Sequence, residues 1–136
     1  MRVVVVGGGG REHALIWRLS QSASVTELHA APGSEAIGRL ATCHDVAVDD
    51  VSGQLDLARR LQAELVVIGP EAPLVAGLAN QLRTAGIATV GPDAAAAELE
   101  GSKAFAKEIM NAAGVPTAEH QTFTDAPSAL AYLERG

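Results

Sequence analysis

Four consecutive valines, Val3–Val6, run directly into four consecutive glycines, Gly7–Gly10. An apolar β-branched run without alternation suits a strand covered on both faces, as strands inside parallel sheets are. Glycine immediately afterwards lets the backbone turn sharply and pass close to other atoms. The stretch that follows, Glu12–Gln21, reads as a helix. Buried strand, glycine turn and helix in that order form the opening of a βαβ unit.

The alternation continues along the chain. Glu27–Ala31, His44–Val48, Leu65–Ile68 and Ala88–Val90 read as further strands, and Ser52–Gln62 and Leu74–Ala85 as helices. In the last of these Val75, Leu78, Ala79 and Leu82 fall on one face, and Gly86 follows as a stop. The expected fold is α/β: a Rossmann-like open parallel sheet with right-handed crossovers and helices on both faces. Past Val90 the pattern changes to two close helices, Asp93–Glu100 and Lys103–Ala113, separated by Gly101-Ser102. An extended piece, Thr117–Phe123, then leads to Asp125, an expected N-cap for a helix over Ala126–Arg135. The expected organisation is a Rossmann-like domain over 1–101 and an incomplete second region over 102–136, too short for its own core. On this reading the chain is cut off at Gly136. Val67-Ile68-Gly69-Pro70-Glu71 and Thr89-Val90-Gly91-Pro92-Asp93 echo each other as two similar strand-to-helix turns rather than as a repeat.

Composition narrows the partners. Ten Lys and Arg against 16 Asp and Glu leave a net charge of −6, with only one Trp, one Tyr and two Phe. The chain lacks the basic face and the stacking platforms of a nucleic-acid binder. The single Cys43 permits no internal disulfide, and no apolar run reaches the ~18 residues of a membrane span. These features lead us to expect a soluble, cytoplasmic protein, without nucleic-acid or membrane partners.

The glycine turn is the first candidate site. Glycines let a ligand approach the backbone, and a helix start supplies unpaired N–H groups and a positive dipole end, which together suit phosphate. The dinucleotide spacing Gly-x-Gly-x-x-Gly requires a third glycine where Glu12 or His13 stands, and the second strand ends in His29-Ala30-Ala31-Pro32 without a ribose-holding carboxylate. No Gly-Lys-Ser/Thr follows for a Walker loop. A smaller phosphorylated ligand fits better. Arg11 and His13 suit a phosphate, although a structural histidine is an equal reading of His13. A carboxylate against phosphate repels it, so two readings stand for Glu12: contact with a ligand hydroxyl or amine, or simple dipole complementarity in a first helical turn.

Ligands of open parallel sheets bind at the carboxyl ends of the strands where the order reverses, here the first and fourth. That places Gly7–Gly10 opposite Gly69-Pro70-Glu71-Ala72-Pro73. Glu71, in a loop fixed by two prolines, is expected to project into the crevice and accept hydrogen bonds from sugar hydroxyls. Gly33-Ser34 stands either as a third wall or as a turn and cap.

Several stretches in order, Gly-Gly-Arg-Glu-His-Ala-Leu (9–15), Ala-Pro-Gly-Ser (31–34), Gly-Pro-Glu-Ala-Pro-Leu (69–74) and Leu-Glu-Gly-Ser-Lys-Ala-Phe (99–105), resemble the amino-terminal part of the glycinamide ribonucleotide synthetases. Gly-Val-Pro-Thr-Ala-Glu (114–119) and Gln-Thr-Phe-Thr-Asp (121–125) fit the same family, and the four glycines replace its more usual Gly-Ser-Gly-Gly. The resemblance implies a pre-ATP-grasp Rossmann-like domain followed by the first helices of a truncated ATP-grasp region. It implies a monomeric ATP-dependent ligase of purine biosynthesis that joins 5-phosphoribosylamine and glycine, using ATP and magnesium or manganese. Carried over by residue, Gly9, Gly10, Arg11, Glu12, His13, Gly33, Ser34, Glu71 and Pro73 would line the phosphoribosylamine site. Lys103 would approach the ATP phosphates; a solvated first-turn lysine is its plainer reading. Catalytic and metal-binding residues are expected outside this stretch, so the chain alone is expected to be inactive. The alternative is a stand-alone ribose-phosphate-binding module without catalysis, with a nicotinamide-dependent oxidoreductase a distant third.

Overall fold

The computed structural model describes residues 1–134. They fall into two compact units, Met1–Gly101 and Ser102 onward. The first unit runs β1 (Arg2–Gly7), α1 (Gly10–Ser20), β2 (Glu27–Pro32), a 3-10 turn (Ile37–Arg39), β3 (Thr42–Cys43), α2 (Val51–Arg60), β4 (Leu65–Ile68), α3 (Glu71–Val75), α4 (Leu78–Thr84), β5 (Ala88–Val90) and α5 (Ala94–Gly101). All five strands are parallel, in the order β3-β2-β1-β4-β5. β1 pairs with β2 on one side, Val6 opposite Ala31, and with β4 on the other, Val6 opposite Ile68. The chain order thus reverses between β1 and β4, as expected.

The valine run is apolar throughout because both of its faces are covered. Val4 and Val6 join Val66 and Ile68 against Ala58 of α2, Leu78, Ala79 and Leu82 of α4, and Ala97 of α5. Val3 and Val5 join Ala30 and Val67 against Ile16 of α1 and Ile37 of the 3-10 turn. All four valines are 0–1% exposed, and burial of each contributes up to ~1.5–3 kcal/mol of transfer free energy.

Two sequence expectations are corrected. His44–Val48 is not a strand; β3 is the shorter Thr42–Cys43. Val46 and Val48 alternate as a half-buried strand would, but Val46 N–H bonds locally to the His44 carbonyl, and the Gln54 side chain donates to the carbonyls of Val46 and Ala47. The helix expected over Leu74–Ala85 is two helices, broken where Gly77 turns left-handed at φ +87°. The break takes Val75 off the buried face, leaving it 42% exposed.

In the second unit, Ser102 caps α6 (Lys103–Ala112), its Oγ accepting the Phe105 N–H. The Lys107 ammonium donates to Thr117 and to the Ala118 carbonyl, holding the extended segment that follows. Asp125 caps α7 (Ala126–Leu133) by accepting the Ser128 N–H at 2.8 Å, and Phe123 lies against Tyr132. The expected end of this helix at Arg135 lies outside the described residues. Neither helix buries a residue fully, in keeping with a segment too short for a core. Among the described residues no helix is long and apolar enough to cross a membrane.

Candidate functional site

Pairing of β1 with β4 brings the glycine turn and the Gly69–Pro73 segment together at the carboxyl end of the sheet. The Gly69 N–H donates to the Val6 carbonyl at 3.1 Å, and the Gly33 N–H donates to the Gly7 carbonyl at 3.1 Å. Three strand ends therefore converge on Gly7. The approach is close enough to require glycine: a side chain on Gly8 would run into the Gly33 carbonyl, and Gly33 sits at φ +73° with the Cys43 thiol beside its Cα.

Glu12 stands at the third position of α1 and is only 4% exposed. Its Oε2 accepts the Gly9 N–H at 2.7 Å, and its Oε1 accepts from Arg11 Nε at 2.9 Å. The carboxylate thus serves the helix start, and its ion pair with Arg11 is one that sequence reasoning missed. A glutamate three residues after an N-cap signals the bond to Gly9, as in one half of a capping box, but not the pair with Arg11.

Arg11 projects outward, its side chain 56% exposed. The hydrogen bond to Glu12, helped by the negative charges of Glu12, Glu100 and Glu71, outweighs the cost of burial and raises its pKa above the usual arginine range. Glu100, at the end of α5, was not singled out by sequence; it enters because α5 packs on α3, where Val75 lies against Gly101. His13 is half-buried, its N–H donating to the Gly9 carbonyl at 3.0 Å. Gly9 and Gly10 are exposed, and the N–H groups of Gly10 and Arg11 find no acceptor among the described residues. Unpaired N–H groups of this kind are what a helix start offers to an anion.

Ser34 belongs to the turn before the 3-10 helix: its Oγ lies 3.5 Å from the Ile37 N–H and its carbonyl accepts the Gly38 N–H at 2.8 Å. Glu71 is exposed but stands in no proline-fixed loop; it is the first residue of α3, with Pro70 as N-cap. Pro73 lies inside α3 and is buried. Lys103 is the exposed first residue of α6 in the second unit. A surface depression of about 420 Å³ lined by Ser20, Thr26, Glu27, Arg39 and Thr42 lies at the other end of β2 and holds none of these residues.

Residues 1–100 match the family model for the phosphoribosylglycinamide synthetase N domain. The chain is 56% identical over 124 residues to phosphoribosylamine–glycine ligase of Corynebacterium ammoniagenes, covering 90% of this chain and 29% of that protein. It is 55% identical over 125 residues to the Streptomyces coelicolor ligase, covering 92% and 30%. The chain thus spans about 30% of the length of these relatives. The crystal structure of the Thermotoga maritima ligase superposes with a TM-score of 0.62 at 30% identity, covering 88% of this chain and 26% of that one. N5-carboxyaminoimidazole ribonucleotide synthetase of the same organism shares the fold alone, with a TM-score of 0.67 at 19% identity. A glycine turn facing an acidic helix start across a parallel switch point, on a sequence this similar, makes the chain a member of the phosphoribosylglycinamide synthetase N-domain family.

Proposed function

We propose that these residues form the ribose-phosphate-binding part of an ATP-dependent ligase joining 5-phosphoribosylamine and glycine. The observation that carries the reading is the pair of unsatisfied N–H groups at Gly10 and Arg11, beside an exposed guanidinium and across from Glu71. The phosphate sits on the Gly10 and Arg11 N–H groups and the Arg11 side chain, with Gly9 and His13 flanking it. Glu71 takes the ribose hydroxyls, with the buried Pro73 fixing the α3 segment behind it, and Gly33-Ser34 closes the third side. In the whole ligase the glycine carboxylate takes the γ-phosphoryl group of ATP, releasing ADP; the phosphoribosylamine nitrogen then attacks the acyl phosphate and phosphate leaves. Residues 1–101 position the amine for that attack, and residues 102–136 begin the ATP-grasp domain.

Lys103 is this chain's contribution to the ATP phosphates. No three His, Cys, Asp or Glu side chains among the described residues are placed to hold a metal ion, so no magnesium-dependent step is assigned to them. The same reading makes the protein a cytoplasmic monomer acting on small molecules without nucleic acid. Calorimetric titration tests it: ribose 5-phosphate should bind the chain more tightly than NAD or NADP, even with a dissociation constant of about 1 mM. Tighter binding of NAD would refute the assignment.

A further inference from the structure

We infer that Glu12 is a positioning residue of this site, locked between the ends of β1 and β4, where it holds the Gly9 amide and aims Arg11 without touching the ligand. The inference rests on the ribose-phosphate reading of the crevice but adds a role that reading does not contain.

A capping glutamate needs no burial, since its carboxylate can reach back along the helix surface. Glu12 is instead enclosed, and the surroundings are cleared for it. A Cβ on Gly7 would lie 2.8 Å from its Cγ, a Cβ on Gly9 would lie 2.9 Å from Oε2, and a Cβ on Gly69 would run into the carboxylate itself. Glycines from β1, the turn and the end of β4 thus make one slot. Both carboxylate oxygens are engaged inside it, one by Gly9 N–H and one by Arg11 Nε. A buried charge is tolerable only when paired and hydrogen-bonded in this way.

Two consequences follow for the ligand. The Gly9 N–H is already taken, so an incoming phosphate meets Gly10 and Arg11 instead. With Nε held by Glu12, the guanidinium keeps its two Nη groups free as a fork, the geometry that suits a phosphate. Glu12 therefore acts on the ligand through Arg11.

The test uses the ¹⁵N-labelled 136-residue chain with ribose 5-phosphate as the probe. In the unsubstituted chain the Arg11 Nε–H signal is expected downfield and slow to exchange. Glu12→Gln leaves an acceptor for Gly9 but sets an amide or a neutral oxygen against Arg11. It should abolish that signature and weaken ribose 5-phosphate about 5- to 10-fold. In the Arg11→Ala background the same change should alter affinity less than ~2-fold, because its intermediary is gone. Gly69→Ala keeps every charge but displaces the carboxylate, so it should reproduce the loss of the Arg11 signature; it also carries the measurement should Glu12→Gln not fold. Equal weakening by Glu12→Gln with and without Arg11 would show direct ligand contact and overturn the proposal. An Arg11 Nε–H signal unchanged by both variants would overturn it as well. If the unsubstituted chain binds no ribose 5-phosphate, the proposed function fails, while the Arg11 signal still decides where Glu12 sits.

Discussion

Arg11→Ala separates the phosphate wall of the crevice from its sugar wall. The substitution removes the two Nη groups left free by the Glu12 pair and also strands the Glu12 carboxylate in its slot. The second effect is structural and falls on every ligand alike. Comparing ribose 5-phosphate with ribose on the same variant cancels it, leaving the phosphate-specific part. A charge-assisted hydrogen bond is worth ~1.5–3 kcal/mol. The Arg11 side chain is 56% exposed, so water and salt screen it, and the lower end applies. About 1.5 kcal/mol corresponds to roughly tenfold in affinity. The assay is calorimetric titration of both ligands against both proteins at low and at physiological ionic strength. The phosphate-specific loss should be about tenfold at low salt and smaller at ~0.15 M, where the Debye length is about 8 Å. Equal losses for the two ligands would refute the placement of phosphate at Arg11.

Glu71→Ala should weaken ribose and ribose 5-phosphate alike, read by the same titrations, because its proposed partner is the sugar. Leu78→Ala, at a residue 0% exposed in the α4 core, should lower unfolding free energy by ~2–4 kcal/mol in urea, whereas Leu99→Ala, 48% exposed, should stay within ~0.5 kcal/mol. His44 has its pKa lowered from 6.5 by burial, then by the neighbouring His29 ring and by Arg60. A depressed pKa contributes stability that is complete above the unfolded value and lost as pH falls through the folded one. Urea midpoints should therefore drop on acidifying from pH ~7 to below His44's lowered pKa, and His44→Gln should flatten that drop.

How much of this was legible in the sequence depended on what held each segment in place. Val3–Val6 and Leu65–Ile68 were readable because a strand buried in a parallel sheet declares itself by composition alone, whereas Ala88–Val90, an edge strand with Ala88 and Val90 exposed, was read from its β-branched Thr89-Val90 pair. Their order followed from crossover handedness and the switch point, which put Gly7–Gly10 beside Gly69. β3 was misread because Val46 and Val48 are both half-buried, Val48 against the core, which imitates a strand's alternation, while the carbonyls of Val46 and Ala47 are taken by the Gln54 side chain. The break at Gly77 was missed because the apolar spacing around it is helical on both sides. Glu71 was read as a loop residue since two prolines flank it, although proline is well suited to the start of a helix. Glu12 resisted most: its position predicts a cap, but its slot is completed by Gly69, over fifty residues away at the end of another strand.

The central claim, that the β1–β4 crevice is the ribose-phosphate site, meets its most direct test in amide chemical-shift mapping of the whole chain. Ribose 5-phosphate is titrated into the ¹⁵N-labelled protein, with NAD as the comparison. The account predicts saturable shifts at Gly10, Arg11, Gly33 and Glu71, leaving Thr26, Glu27 and Thr42 around the depression at the far end of β2 unmoved. Shifts confined to that depression, or a crevice that responds to NAD and not to ribose 5-phosphate, would contradict it.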